Sequence, residues 1–534
     1  MAPRKLISKS AYLIYKQCPK YLWLHINNRE NMPKPDLRTQ FNFKLGHIIG
    51  ELAKRRYKDG IDIGYNSNID HNVRQTREFL KLGKPVFEAG FLYNDIYCDL
   101  YSRADVLIPV KKLDKDKWLW DIFEVKSSTS VKDINLYDLA FQKYCYQKAG
   151  LNIRKCYLMY INNQYIRNGD IEVEDLFVKS DVTEEVDKKC VHIKNDLKQI
   201  SKIIYNENCP EIGIGKFCDS PFNCPLKSKC WEFVDYKSIF YLYSITEKTV
   251  KRLNECGIEF INDIPEGFSG INYKQQIQIE SIKKSCAYID KEEISKYLKR
   301  FTYPIYFLDF ETFASPVPLI NGSKPYQNIP FQFSLHLLRT PESIPEHYSF
   351  LATGDSDPRP ELLKNLEDRL DDLNLINSKS GITGNASFVV YNQSFEKQIL
   401  RELAETYPEH SNLLNSIMDK IIDLYEPFKN FHYYHEVQKG SASIKKVLPA
   451  LTGISYDEME ISNGDAASVS FLSNSKLWKD FIVSLKLRGF EEIEQDELEE
   501  EKEIERIRKS LEEYCKLDTE GLIYILKELE KLVY

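Results

Sequence analysis

Ile305-Tyr-Phe-Leu-Asp309-Phe-Glu311-Thr312 is the stretch on which the fold turns. Its apolar run has the character of a buried strand, and it closes on two acids. Side chains two apart on a strand point to one face, so Asp309 and Glu311 converge on one point. A core strand has little use for neighbouring carboxylates unless they meet something positive, because burying them unpaired is expensive. Near the end of the chain, Tyr514 and Asp518 stand four apart in a helical pattern and share a helix face. A pair of divalent metals is the economical occupant, with phosphodiester hydrolysis as the leading chemistry.

Around this stretch the C-terminal section, 301–534, offers strand candidates at 303–310, 331–339, 346–351 and 387–391. A helix near 360–373 and a long helical region from 394 complete the order of a mixed sheet with flanking helices, an α/β class. Residues 236–300 are helical in pattern and break at Gly257, as a linker or a small hairpin that contacts nucleic acid. Residues 1–235 begin with amphipathic helices. Strand-like runs follow at 96–110, 118–126 and 155–161, with a helix over 135–149 and a closing cysteine-rich knot. The acidic run from Glu491 to Glu505 predicts a solvated helix or an exposed loop.

At 534 residues the chain exceeds one ordinary core, so two or three domains are expected. A net charge of −7 leaves no global basic footprint, and nucleic acid must be gripped by local basic grooves around acidic metal sites. The first ten residues lack the apolar core of a secretory leader, and no apolar stretch approaches membrane-spanning length. A cytoplasmic protein without membrane contact is the expectation, and there the twelve cysteines are thiols or metal ligands.

Between the two acidic segments lies Val389-Val-Tyr-Asn-Gln-Ser-Phe-Glu396, a strand running into a helix start with Glu396 in the first turn. Asp309, Glu311, Glu396 and Asp518 thus bring four acids from three separated segments. The arrangement resembles the DnaQ-like exonuclease superfamily, in the subgroup with a tyrosine, here Tyr514, four residues before the final aspartate. Glu396 stands where an aspartate is more common. Ile422-Asp423-Leu424 and Ser443-Ile-Lys-Lys-Val-Leu-Pro449 add to the likeness. The resemblance covers 301–534 and implies an RNase H-like mixed sheet, Mg²⁺ or Mn²⁺ held by the four acids, Tyr514 orienting or deprotonating the attacking water, and removal of nucleotides from 3′ ends.

In the N-terminal section, Arg103-Ala-Asp105 and Phe123-Glu124-Val125-Lys126 each sit on a strand, and Gln142-Lys-Tyr-Cys-Tyr146 sits on a helix. Asp105 and Glu124 can bind a metal, Lys126 shares a strand face with Glu124, and Gln142 and Tyr146 lie one helical turn apart. The set resembles RecB-like PD-(D/E)xK nucleases, closest to the branch with a cysteine cluster. That branch often carries a metal-binding histidine four residues after a helical glycine. Here Gly46 is followed at that spacing by Gly50, and Glu51 or His47 is left to compensate.

Cys218, Cys224 and Cys230 are evenly spaced in a compact loop, and such thiolates can wrap one iron–sulfur cluster or one zinc ion. The resemblance points to Cys18 as the fourth ligand, with Cys209 the alternative, and to a [4Fe–4S] cluster as the cofactor. The remaining cysteines (98, 145, 156, 190, 256, 286 and 515) read as small core residues. Together these features predict a two-nuclease protein acting on DNA, single-stranded or from an end, in repair or defence against mobile elements. An RNA substrate and a binding scaffold with decayed sites are the rival readings. Phe313 is a candidate for stacking on a terminal base, against core packing.

Overall fold

The computed structural model describes residues 4–64, 68–114, 117–372, 376–377, 381–382, 385–486 and 497–533. The chain divides into two compact units. The first holds the chain through Phe233 together with Ser315–Gln327; the second holds Val234–Ala314, Asn328–Lys486 and the C-terminal helix.

In chain order the first unit comprises β1 (Leu6–Ser8), α1 (Lys9–Gln17), α2 (Pro19–Asn27), α3 (Leu37–Lys54), β2 (Ile61–Asp62), α4 (Ile69–Leu80), β3 (Val86–Asn94) and β4 (Asp99–Asp114). β5 (Lys117–Lys126), α5 (Asp133–Lys148), β6 (Asn152–Ile161), α6 (Val173–Leu176), β7 (Phe177–Asp181), α7 (Thr183–Ile204) and α8 (Lys227–Trp231) follow. One mixed sheet runs β2-β3-β4-β5-β6-β7, with β1 paired in parallel to the start of β4. β3, β4 and β5 are antiparallel neighbours, whereas β5 and β6 are parallel and joined through α5. Helix α5 is buried on nearly every side, yet it carries Asp138 and Gln142, 1 % and 0 % exposed. Polar groups survive at that depth only when partnered, so this helix marks the site before any chemistry is considered. Ser315–Gln327 joins the unit through Arg167, which donates to the Leu319 carbonyl at 2.5 Å, and through Tyr326, whose hydroxyl donates to the Ser127 carbonyl at 2.5 Å.

The strand expected over 96–110 is half of a hairpin: β3 precedes it, and the chain turns at 95–98. The missed strand carries Glu88 in the left-handed region at φ 56° and Gly90 two residues on. These interrupt the alternation by which a half-buried strand is recognised.

The second unit begins with α9 (Glu247–Glu255), α10 (Tyr273–Lys284), β8 (Tyr288–Ile289) and α11 (Lys291–Leu298). Its sheet elements and their helices are β9 (Ile305–Phe313), β10 (Ile329–Leu338), β11 (Glu346–Leu351), α12 (Arg359–Asp372), β12 (Ile376–Asn377), β13 (Gly381–Ile382), β14 (Ser387–Val390), α13 (Ser394–Thr406), α14 (Ser411–Asp419) and β15 (Ile421–Asp423). α15 (Glu426–Lys429), β16 (Tyr433–Tyr434), α16 (Ile444–Thr452), α17 (Gly464–Asn474), α18 (Lys476–Leu485) and α19 (Glu497–Val533) complete it. The main sheet is ordered β11-β10-β9-β14-β15. β10 is antiparallel to both β9 and β11, while β9, β14 and β15 run parallel. Every residue of β10 is buried, and β9 is buried except at Asp309 and Thr312. α19 lies along the sheet with Leu511, Cys515, Leu522, Leu526 and Leu529 buried at helical spacing.

Residues 236–300, expected as a linker or a small hairpin, belong to the second unit, which begins at Val234, and carry an apolar cluster of their own around Ile239, Leu253 and Ile261. α9 ends where expected: Gly257, at φ 71°, lets Ile258 N–H return to the Leu253 carbonyl, which closes the helix. Of the acidic run, 491–496 lie outside the described residues and Glu497–Glu505 open α19. Phe313 is 2 % exposed, with its ring centroid 6.0 Å from that of Phe471, so core packing takes it.

Candidate metal and catalytic centres

In the second unit, the central strand β9 delivers Asp309 and Glu311 to one face, and α19 lays Asp518 against them. One ligand oxygen from each of these three carboxylates lies within 4.8 Å of the other two. Glu396, in the first turn of α13, is 2 % exposed, and its Oε2 finds no hydrogen-bond partner. Burial, reinforced by the neighbouring acids, pushes Asp309, Glu311 and Glu396 well above the usual carboxylate range. Burial also carries Asp518 up to about 6, although Tyr456 and Lys445 pull the other way. Such crowded carboxylates are relieved either by retained protons or by a compensating cation.

Other groups at this centre are not singled out as site residues by the sequence, although Lys445 and Asp423 lie in segments that carry the likeness. The Tyr456 hydroxyl donates to Asp518 Oδ1 at 2.6 Å, and its ring meets that of Tyr514 edge-on at 6.1 Å. Both phenols are pushed upward, by burial first and then by Asp518. Lys445, from α16, places Nζ 5.3 Å from the Tyr514 ring centre and within electrostatic reach of Asp518 and Glu311. The Cys515 thiol donates to Asp309 Oδ2 at 3.7 Å, so this cysteine borders the acids rather than merely filling core. Gly464 opens α17 beside Glu311, where a Cβ would sit 3.6 Å from Oε2. Asp423 is engaged elsewhere: Oδ1 accepts from the backbone N–H of Asn392 (2.8 Å) and Tyr425 (3.0 Å), which shapes the turn leading into α13.

In the first unit, β4 and β5 pair Val106 with Phe123, which makes Asp105 and Glu124 neighbours across the ladder. Asp105 Oδ2 accepts from Val125 N–H at 2.7 Å. Glu124, 1 % exposed, accepts from Lys126 Nζ at 2.6 Å and from Gln142 Nε2 at 2.5 Å. The Tyr146 hydroxyl donates to Gln142 Oε1 at 3.1 Å. Two further residues join: Asp138 binds Lys126 at 2.7 Å and Gln142 at 2.9 Å, and Lys9 reaches Glu124 at 2.8 Å, Asp105 at 3.7 Å and Asp138 at 3.9 Å. Burial opposes charge on both lysines, but Asp138 and Glu124 outweigh it and raise them. Asp138 stands one turn before Gln142 on α5, a spacing visible in the sequence; nothing local marks Lys9.

Glu51 is bound to Lys54 at 2.6 Å, and the same ammonium meets Asp62 at 3.2 Å and Glu88 at 3.5 Å. His47 is exposed on α3.

Cys18, at the junction of α1 and α2, feels the charge of Cys218 and Cys230, and Cys224 feels that of Cys18, Cys218 and Cys230. Cys209 is also near Cys18 and Cys230. Burial raises the Cys18 thiol against the N–H groups of Tyr21 and Lys20, and carries Cys224 up to about 11. Cys98, Cys145 and Cys156 are buried as expected, whereas Cys256 and Cys286 are exposed surface residues, each just past a helix end.

Residues 306–443 match the model of a domain of unknown function, DUF2779, a span that includes Asp309, Glu311 and Glu396 and stops before Asp518. The chain is 28 % identical over 244 residues to the "Uncharacterized protein MG366 homolog" of Mycoplasma pneumoniae, covering 42 % of this chain and 33 % of that protein. It is 30 % identical over 200 residues to the "Uncharacterized protein MG366" of Mycoplasma genitalium, covering 34 % of this chain and 29 % of that protein. The match therefore spans about a third of the length of these curated relatives. No helix among the described residues is long and apolar enough to cross a membrane.

Proposed function

We propose that the chain is a metal-dependent nuclease with two hydrolytic centres, DnaQ-like in the second unit and RecB-like in the first, acting on single-stranded DNA or on ends. One observation carries the reading: Asp309, Glu311 and Asp518 present ligand oxygens within 4.8 Å of one another, with the unpartnered Glu396 oxygen beside them. This set of hard oxygen donors, short of cations, suits Mg²⁺ or Mn²⁺. Metals held there supply charge for the attacking and leaving oxygens of an in-line displacement at phosphorus. Tyr456 holds the Asp518 carboxylate in place, Tyr514 orients water from the same helix face, and Lys445 adds a positive charge that a strand phosphate can meet. The central position of the acid-bearing strand in a mixed sheet agrees with the DnaQ-like resemblance.

For the first unit, Asp105, Glu124, Lys126, Gln142 and Tyr146 form one bonded set, as the RecB-like resemblance implies. Lys9 favours a second reading there, a centre whose acids are already neutralised and which binds nucleic acid without cutting it. Cys18, Cys218, Cys224 and Cys230 suit a [4Fe–4S] cluster, with zinc as the alternative.

The test is degradation of end-labelled single- and double-stranded DNA and RNA with Mn²⁺, comparing wild type, Asp309→Ala, Lys126→Ala and the double variant. Each single substitution should remove a distinct product pattern. An inactive, properly folded and metallated wild type overturns the nuclease reading in favour of a scaffold; activity on RNA alone overturns the choice of DNA.

A further inference from the structure

In the second unit, Gln332, Ser334 and His336 alternate along β10 and are at most 3 % exposed, although none is apolar. Gln332 stands directly across the ladder from Glu311, and Ser334 from Asp309. All three side chains of β10 act on α19 or on residues bonded to it. Gln332 Nε2 donates to the Leu511 carbonyl at 3.0 Å. Ser334 Oγ and His336 Nδ1 lie 2.7 Å and 2.8 Å from the hydroxyl of Thr519, which is itself fully buried. Ser334 Oγ also meets His347 Nε2 on β11 at 3.0 Å, so the network ties two strands to the helix.

Apolar packing alone does not settle where α19 lies along the sheet. Its buried residues recur through Leu511, Cys515, Leu522, Leu526 and Leu529, so a slide of one turn sets most apolar positions onto apolar positions again. Such a slide, about 5.4 Å, would carry Asp518 away from Asp309 and Glu311. Hydrogen bonds to particular atoms forbid it, which is the best-attested use of buried polar groups. The two anchors, the Leu511 carbonyl and the Thr519 hydroxyl, bracket Tyr514, Cys515 and Asp518. They are about 12 Å apart along the helix, and Gln332 and His336 are about 13 Å apart along the strand. Helix and strand anchors are therefore spaced alike and engage together in one register.

We propose that Gln332, Ser334, His336 and Thr519 are positioning residues of the second centre. They touch neither metal nor substrate; they lock the register of α19 so that Asp518 completes the metal ligands offered by β9 and Tyr514 faces the attacking water. The inference rests on the reading of Asp309, Glu311, Glu396 and Asp518 as a metal centre, and it adds the residues that hold the last of those acids in place.

The experiment is calorimetric titration of the full-length chain with Mn²⁺, in an Asp105→Asn/Glu124→Gln background that leaves the second centre as the one to be read. Thr519→Val keeps the shape of the side chain and removes the hydroxyl, Gln332→Leu removes the other anchor, and Thr519→Ser returns the hydroxyl. Thr519→Val and Gln332→Leu should each weaken Mn²⁺ at least about tenfold, and Thr519→Ser should restore most of the affinity. Circular dichroism checks folding; if Thr519→Val does not fold, Ser334→Ala, which leaves His336 on Thr519, carries the test with a loss of several-fold. Unchanged Mn²⁺ affinity in the folded anchor variants, with only a lower melting temperature, overturns the inference and leaves these residues a structural role. So does a folded Thr519→Ser that binds Mn²⁺ no better than Thr519→Val. A background protein that binds Mn²⁺ through these anchors but degrades no end-labelled strand overturns the nuclease reading of this centre and upholds the positioning role. One that binds no Mn²⁺ overturns both.

Discussion

Lys9 Nζ lies 2.8 Å from Glu124 Oε1, an ion pair between the first helix and the fifth strand of the N-terminal unit. Glu124 is almost completely buried and shares Lys9 with Asp105 and Asp138. The ammonium therefore occupies the side of Glu124 from which a cation bound to Asp105 and Glu124 must approach.

Lys9→Met should lower thermal stability in EDTA, by about 3–5 kcal/mol, because among the described residues the acids keep only Lys126 as a cation. The same variant should bind Mn²⁺ at this centre more tightly than wild type. Calorimetric titration in an Asp309→Ala background isolates the first unit; equal affinity in both proteins would remove Lys9 as a competitor.

At the second centre the sign is opposite, since four acids share Lys445. Asp309→Asn should abolish hydrolysis yet raise the melting temperature in EDTA. The pH dependence follows from linkage. A carboxylate raised on folding binds its proton more tightly in the native state, so its stabilising contribution is complete below the unfolded value and is lost as pH rises through the folded one. For Asp518 that window runs from about 3.8 to about 6. Melting in EDTA across this range should show a decline that is shallower in Asp309→Asn and is reversed by Mn²⁺.

His336 contributes the reverse slope. It is 3 % exposed and its Nδ1 lies 2.8 Å from Thr519 Oγ1, while burial, with His347 and Lys516 nearby, drives it down to about 3. A histidine that stays neutral in the fold supports stability above its unfolded value near 6.5, and that support is lost as pH falls toward 3. His336→Asn should lower stability at pH 7 but flatten the acid limb of the melting profile below pH 6.5.

Anaerobically prepared protein should carry about four irons and four labile sulfides per chain if the cysteines hold a cube, and about one zinc if they do not. Cys18→Ser should lose the group and destabilise the first unit, because that cysteine ties the α1–α2 junction to the loop of Cys218, Cys224 and Cys230. Cys209→Ser should retain it. Metal analysis with melting of both variants decides between the two thiols.

What was legible in the sequence follows local rules. Alternation along β9 is a property of any strand, so the shared face of Asp309 and Glu311 needed no tertiary information. Helical spacing likewise joined Tyr514 to Asp518 and Gln142 to Tyr146, and could have joined Asp138 to Gln142. The hairpin of β3 and β4 escaped because Glu88 and Gly90 break the very periodicity that marks a strand.

The sequence by itself determined which acids share a face, where the cysteines cluster and that a mixed α/β architecture was needed to carry them. Only the tertiary structure decided which charges meet those acids. Lys9 arrives from 115 positions before Glu124, and Tyr456 from 62 before Asp518. No local periodicity ties such positions together; sheet order and helix packing do. The same packing decides that, among the described residues, the first centre holds two lysines among its carboxylates while the second has Lys445 beside four acids, and so which of them most needs a metal.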